Sequence, residues 1–285
     1  TSEALGERGD ETDHIATMWR DLNVKSLDRL GCALRIDGRV DDAYEIAKSG
    51  MERGRLNPRG LAAMHAVYDF GRLEALHSPE KAFHFFEEAR EILRTAEADQ
   101  VRHNQMINVS EDSASVLLLE ESGDLKALQD SCAARVEALA YSSYGLEVGA
   151  SYLNASAAFI SSDPARSLRY AEAAINWNME RNYLELLWKS HHNACIAAQL
   201  VGDQNLVDYH VQRCFNLIVE QDIARRPEPF KRQRMIRYEP TLRRLSDHTH
   251  CGDQNISLAV QTLCAQAPSW ENMLYKDYLG EFSEK

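Results

Sequence analysis

The sequence has no hydrophobic run of the roughly 20 residues that a membrane-spanning helix needs. It has no sustained alternation of polar and apolar residues that would predict a strand. It also lacks the glycine-rich phosphate loops, the H-E-x-x-H zinc motif and the G-x-S-x-G elbow. Catalysis needs a base, a nucleophile and a stabilising donor within mutual reach, and the sequence suggests no such set. We therefore expect an all-α protein that is not an enzyme, has no cofactor and inserts no segment into a membrane.

The sequence has few cysteines, and their spacing suggests no pairs. The six cysteines include no C-x-x-C pair, and a chain of 285 residues does not depend on disulfide staples. Most lie on apolar stripes and are predicted to be small core residues of a cytoplasmic protein. His248, His250, Cys251 and Cys264 are the best candidates for zinc ligands, but their spacing does not match a structural site, so we expect no metal.

Positive charge is also scarce, because the net charge is −12. The exception is the segment 225–244, which has eight basic and two acidic residues and leaves −18 for the remainder. Its arginines, Arg232, Arg234 and Arg237 among them, form an alternative site for nucleic acid or another polyanion. A solvated helix that pairs with acidic neighbours explains the same pattern and is favoured.

The clearest local pattern is the stretch from Leu30 to Arg55. It predicts two short helices joined at Gly38, with Asp41 and Asp42 in the first turn of the second helix. Small residues, Gly31 in the first helix and Ala43, Ala47 and Gly50 in the second, favour close packing between the two. This arrangement resembles the tetratricopeptide repeat, whose unit has about 34 residues. Ala82, Phe86 and Ala89 give a second, fainter copy.

The predicted turns recur in phase along the chain. They fall at Gly38, His77, Gly123, Ser162 and Gly202, at steps of 39, 46, 39 and 40 residues. The resemblance therefore implies a right-handed superhelical stack of five to six antiparallel hairpins. We expect a tail and capping helix in 1–23, with Trp19 as anchor, five hairpins in 24–223, and an irregular sixth hairpin and closing helix in 224–285.

In tetratricopeptide arrays the first helices of the hairpins line a concave groove. Alignment to the first unit places a polar wall of mixed charge there, made of Lys25, Asp28, Arg35, Tyr152, Ser156, Lys189, His192 and Gln199. Such a wall suits a protein or peptide segment whose backbone needs hydrogen-bond partners. The resemblance thus implies a binding scaffold or sensor domain. Arrays that resemble this one often form the sensor half of bacterial regulators, so the resemblance also implies a larger, bacterial-type regulatory protein. The sequence begins at Thr1 instead of Met, so we expect it to have been cut from a tag or from a longer protein.

Overall fold

The structure is a computed structural model. It describes residues 2–36, 39–56, 60–96, 99–118, 124–140, 142, 145–223, 238 and 241. Gly38, Gly123, the basic segment apart from Tyr238 and Thr241, and the predicted closing helix lie outside these residues. The candidate zinc ligands His248, His250, Cys251 and Cys264 do so as well.

The described residues form ten α-helices and contain no strand, which confirms the predicted all-α class. The helices are α1 Ser2–Ile36, α2 Val40–Arg55, α3 Leu61–Glu74, α4 Pro79–Thr95, α5 Gln100–Leu117, α6 Leu125–Leu139, α7 Gly145–Phe159, α8 Pro164–Glu180, α9 Leu184–Val201 and α10 Gln204–Asn216. A π-helical segment, Leu217–Ile223, follows α10 directly. None of the described helices is both long enough and apolar enough to cross a bilayer.

Helices that follow one another in sequence pack on one another. The chain divides into two compact units, Thr1–Glu111 (unit 1) and Asp112–Lys285 (unit 2). In unit 1, α1 packs on α2, α2 on α3 and α3 on α4, while α1 also touches α3. In unit 2 the same succession runs from α6 to α10, and α7 also touches α9. This order of contacts is typical of an α-solenoid, in which each unit packs on its neighbours.

The short connections between helices contain residues that favour the end of one helix and the start of the next. His77 and Ser162 lie in turns, and Gly202 takes the left-handed conformation with φ of 86°, so these three predicted turns are confirmed. Aspartates begin the next helices in unit 2, where Asp163 Oδ1 accepts the backbone N–H of Arg166 at 2.9 Å. Asp124 and Asp203 cap α6 and α10 in the same way.

The N-terminal region differs from the prediction of a separate capping helix. Residues from Ser2 to Ile36 form one helix, because no glycine or proline interrupts the chain between Leu22 and Leu30. Trp19 does not act as a buried anchor among the described residues, since 65% of it is exposed. Near the other end, Tyr238 is buried against Trp188, with ring centroids 5.5 Å apart, and its hydroxyl donates to Asp222.

Small residues let paired helices approach closely. A Cβ atom added at Gly31 would lie 3.6 Å from the Cβ of Ala47 and 3.6 Å from the carbonyl oxygen of Ala43, which is ordinary contact. Ala43 itself is fully buried. The predicted close packing of α1 on α2 is therefore confirmed, and there is room for a methyl group but not for a larger side chain.

Gly31→Leu should force α1 and α2 apart and lower the free energy of unfolding by about 1–3 kcal/mol, the usual cost of overpacking. Chemical denaturation of the purified variant measures this loss. Gly31→Ala is the matched control: it fits the observed space and improves helix propensity, so it should leave stability unchanged or higher by up to about 1 kcal/mol. A Leu variant as stable as the wild type would show that this helix pair is not closely packed.

Candidate functional site

The predicted wall begins on α1 with one accessible and one half-buried residue. Lys25 is exposed, and Asp28 lies partly buried where α1 packs on α3. The backbone of Arg35 belongs to α1, but its side chain lies outside the described structure. Unit 1 therefore places Lys25 and Asp28 on the side formed by α1, α3 and the start of α5, which we call the first-helix face.

A second carboxylate, from α3, meets Asp28 on this face. A carboxylate oxygen of Asp28 lies within 4.8 Å of one of Asp69, so the two groups repel one another when both are ionised. Arg72 Nη1 lies 3.2 Å from Asp69 Oδ1 and balances one negative charge. Asp28 Oδ1 is buried and has no hydrogen-bond partner within the described chain. Arg72 therefore compensates only one of the two carboxylates when both are ionised.

The environment raises the pKa of Asp28 to about 8. Burial is the largest cause, and the hydrogen bond and negative charge of Asp69 add to it. The positive charges of Arg29 and Arg72 act in the opposite direction. At neutral pH the pair consequently holds a proton that isolated aspartates would release.

Two histidines extend this group from α3 to α5. The rings of His65 and His103 lie 5.2 Å apart and nearly perpendicular. Burial lowers the pKa of His65, and the positive charges of Arg29 and Lys25 contribute, whereas Asp69 raises it. We call Asp28, His65, Asp69, Arg72 and His103 the ionisable cluster. It offers hydrogen-bond donors, acceptors and both signs of charge, although it is largely buried: the Arg72 side chain is 36% exposed, that of Asp69 16%, and His103 is buried.

Cys32 places a thiol beside the two carboxylates. One candidate ligand atom from each of Asp28, Cys32 and Asp69 lies within 4.8 Å of the others, and no other group of three metal-binding side chains meets this criterion among the described residues. A structural zinc site takes four ligands, however, and the Arg72 guanidinium already bonds Asp69. We therefore assign no metal here.

The wall predicted in unit 2 needs correction. Ser156, Lys189 and His192 are buried, with exposures of 0%, 8% and 1%, so the expectation that they line an open groove is wrong. Tyr152 is half-buried and Gln199 is exposed. The alignment failed because α9 is buried over most of its circumference between its neighbours α7, α8 and α10.

The buried members of that wall make internal polar contacts instead. The hydroxyls of Ser156 and Ser167 lie 3.2 Å apart, and Ser167 also donates to the backbone carbonyl of Ser156. Lys189 Nζ pairs with Glu185 Oε1 at 3.0 Å, one turn earlier on α9. The serine pair links α7 to α8, whereas the Lys189–Glu185 pair lies within α9.

A buried histidine pair joins α9 and α10. His191 Nδ1 lies 3.0 Å from His210 Nδ1, so one nitrogen carries the hydrogen and the other accepts it. Burial lowers the pKa of His191 to about 3 and that of His210 to about 4, and for His191 the charges of His210 and Arg213 add to the effect. Both rings are consequently neutral at physiological pH.

Sequence reasoning identified Asp28 but missed its partners. His65, Asp69 and Arg72 follow one another at steps of four and three, which places them on one side of α3. This spacing was the available signal, but nothing in the sequence showed that this side of α3 faces Asp28. His191 could likewise be recognised in the sequence as a residue of a helix. Its pairing with His210 could not, because it depends on how α9 packs on α10.

No protein-family model matches the chain, and no curated protein matches it. The class that the structure defines is an all-helical protein whose neighbouring helices pack in sequence order. The alternative basic site, Arg232, Arg234 and Arg237, lies outside the described residues.

Asp28→Asn should stabilise the protein at high pH. Because the folded chain holds a proton that the unfolded chain has released, the free energy of unfolding falls as pH rises from about 4 to about 8. The variant removes this dependence. We expect it to gain about 1–2 kcal/mol at pH 9, less than a fully buried pair would give because solvent screens this one, and little at pH 4.

Denaturation curves at several pH values measure this gain. Glu172→Gln, which removes an exposed carboxylate on α8, is the control and should show no comparable rise at pH 9. An Asp28→Asn protein that is less stable than the wild type at pH 9 would refute the raised pKa of Asp28.

Acid should weaken unit 2 through the histidine pair. The unfolded chain protonates its histidines near pH 6.5, whereas burial keeps His191 and His210 neutral until about pH 3–4. Stability is therefore present above pH 6.5 and is lost as pH falls through this range, by more than about 2 kcal/mol between pH 7 and pH 4.5.

Hydrogen exchange of α9 and α10, corrected for the intrinsic effect of pH, measures this loss. His210→Gln should reduce the acid-induced loss of protection in unit 2. His77→Gln removes an exposed histidine of unit 1 and should leave protection of α9 and α10 as in the wild type. Equal protection of these helices at pH 7 and pH 4.5 would contradict the assignment.

Proposed function

We propose that this chain is a non-catalytic module that binds a protein or peptide segment on its first-helix face. In this proposal the fold is a tetratricopeptide-like, right-handed solenoid of five to six hairpins. The observation that supports it is the ionisable cluster, which gathers five titratable side chains from α1, α3 and α5 in a largely buried group beside the exposed Lys25 and Arg29.

Packing alone does not account for this cluster. Two carboxylates in contact destabilise the folded state at neutral pH, and apolar residues of similar size would fill the same space at no such cost. Groups with strongly shifted pKa values on an accessible surface are typical of functional sites. The unsatisfied Asp28 oxygen is itself buried, so a peptide meets the exposed Lys25 and Arg29 beside it, which suit acceptors.

The same architecture suits a sensor inside a larger regulatory protein of the cytoplasm. Each hairpin of a solenoid contacts only its neighbours, so a ligand that bridges successive first helices stabilises their relative arrangement. A linked effector domain then responds to that change. This role extends the binding proposal and depends on it.

Reversing charge on the first-helix face should abolish partner binding. Lys25→Glu combined with Arg29→Glu changes two exposed side chains of α1 and should leave stability within about 1 kcal/mol, since exposed substitutions cost little. We expect at least a tenfold loss of the protein that co-purifies with the immobilised chain from native cell extract. Quantitative mass spectrometry measures the loss.

The matched control reverses two exposed charges on second helices of unit 2, Lys126→Glu with Arg169→Glu, and should retain the partner. Both variants change the net charge equally, so a general electrostatic effect would weaken both. If Arg232→Ala, Arg234→Ala and Arg237→Ala together abolish binding while the α1 variant binds normally, the proposal is wrong. The basic segment then performs the function as a polyanion site.

A further inference from the structure

In unit 1, α1 extends beyond the helices that pack on it. Arg53, near the end of α2, donates from Nη1 to Asn23 Oδ1 at 2.5 Å. The start of α3 lies at the same level, since a Cβ atom added at Gly60 would be 3.6 Å from the Asp21 carboxylate. From there α1 continues towards Ser2 for roughly 30 Å, at 1.5 Å per residue. The helix α2 therefore ends level with the middle of α1.

Three large apolar side chains of α1 are exposed near this level. Met18, Trp19 and Leu22 are 48%, 65% and 47% exposed, and they follow one another at helical spacing. Val24, which lies on the other side of the helix, is buried and packs with Ala62 of α3. A group of exposed apolar side chains on one side of a helix is typical of a protein–protein interface.

Positive charge follows these apolar residues towards the C-terminal end of α1. Lys25 and Arg29 are exposed, and they come three and seven residues after Leu22, which keeps them on the same side of the helix. The acidic neighbours Asp21 and Asp28 are partly buried. This side of α1 therefore has two accessible positive charges beside its apolar middle.

Negative charge precedes the apolar residues. Residues 1–14 include five acidic residues and one basic residue. Glu7 and Glu11 precede Met18 by eleven and seven residues within the same helix, so the helical period assigns them to the side of Met18, whereas Arg8 falls at its edge. The order along this side of the helix is acidic, apolar, basic. We call the residues on it the α1 stripe: Glu7, Glu11, Met18, Leu22, Lys25 and Arg29.

The α1 stripe is complementary to itself when two copies run in opposite directions. With Met18 of both copies at the centre, Arg29 of one copy lies opposite Glu7 of the other, and Lys25 lies opposite Glu11. A two-fold axis repeats each pair, so opposite charges meet at both ends of an apolar middle. Parallel pairing would instead place like charges opposite one another at both ends, which is unfavourable.

We propose that the α1 stripe binds the α1 stripe of a second copy of this chain in antiparallel orientation. Met18 and Leu22 of each copy are then removed from water, and the charged pairs fix the orientation and the register. Lys25 and Arg29 keep the protein-binding role of the proposed function, on which this assignment rests, and a second copy is the partner. A second copy is favoured over another protein because one helix supplies both complementary charges at matching distances from Met18.

Sedimentation equilibrium of the full chain, at concentrations up to 1 mM, tests this pairing. Lys25→Glu with Arg29→Glu makes both ends of the stripe acidic, and Glu7→Lys with Glu11→Lys makes both ends basic. Each double variant alone should dimerise at least tenfold more weakly than the wild type. An equimolar mixture of the two should form a heterodimer about as stable as the wild-type dimer, because every pair again joins opposite charges. All four changes in one chain should likewise restore the homodimer.

The matched control is Lys126→Glu with Arg169→Glu, two exposed residues of unit 2. It changes the net charge as the α1 reversal does and should dimerise like the wild type. Circular dichroism checks that each variant folds. A wild-type chain that stays monomeric at 1 mM would overturn the antiparallel dimer. Charge-reversed variants that dimerise normally, or that do not recover on mixing, would overturn it as well.

Two results separate the dimer from the proposed function. If the wild-type chain is monomeric while Lys25→Glu with Arg29→Glu loses its partner from cell extract, the first-helix face binds a different protein and only the dimer is wrong. If the chain dimerises as expected while that variant keeps the proteins that co-purify from extract, the dimer is supported and the proposed binding of a separate protein segment is wrong.

Discussion

Close approach of paired helices is the constraint on which this structure depends. In three pairs the first helix presents a glycine to its partner: Gly31 to Ala47, Gly71 to Phe85 and Phe86, and Gly149 to Trp177 and Asn178. The second helices contain fully buried alanines, among them Ala43, Ala82 and Ala171. Where the gap is tightest, at Gly149, even a methyl group would meet the Asn178 side chain. Glycines and alanines at these contacts bury little apolar area in each helix pair. The packing therefore depends on close shape complementarity more than on the amount of apolar surface buried.

Polar side chains complete the contacts between first helices. The hydroxyls of Tyr68 on α3 and Ser110 on α5 lie 2.8 Å apart, and Ser113 on α5 bonds Asn154 on α7 at 3.0 Å. Asn193 on α9 reaches the backbone carbonyl of Leu153 on α7. Such bonds stabilise only when both partners are satisfied, and they fix one register between neighbouring helices. The polar residues of the first helices are therefore divided between structural contacts and accessible groups.

The division of polar residues between structural contacts and accessible positions marks the limit of what the sequence could predict. The helical class, the turns at His77, Ser162 and Gly202, and the role of Gly31 follow from local signals that need no tertiary information. Small residues at 31, 71, 110, 149 and 190 recur at steps of 40, 39, 39 and 41, more evenly than the predicted turns, because connection length varies more than the packing position. Burial of Ser156 and His192 was not predictable, since one polar residue looks the same whether it faces a neighbouring helix or solvent.

The two titratable pairs differ in what they require of the fold. His191 and His210 are neutral at physiological pH and share a hydrogen bond, and although His210 Nε2 has no partner in the described chain, the pair brings no like charges together. Asp28 and Asp69 present the opposite case, because two carboxyl groups meet at a largely buried position and a proton must be held to keep them together. Stability above neutral pH favours replacing Asp28 with asparagine. A ligand that donates to the pair, or places a cation beside it, gains what the unliganded fold loses. The argument for a binding function therefore rests on the aspartate pair and not on the histidines.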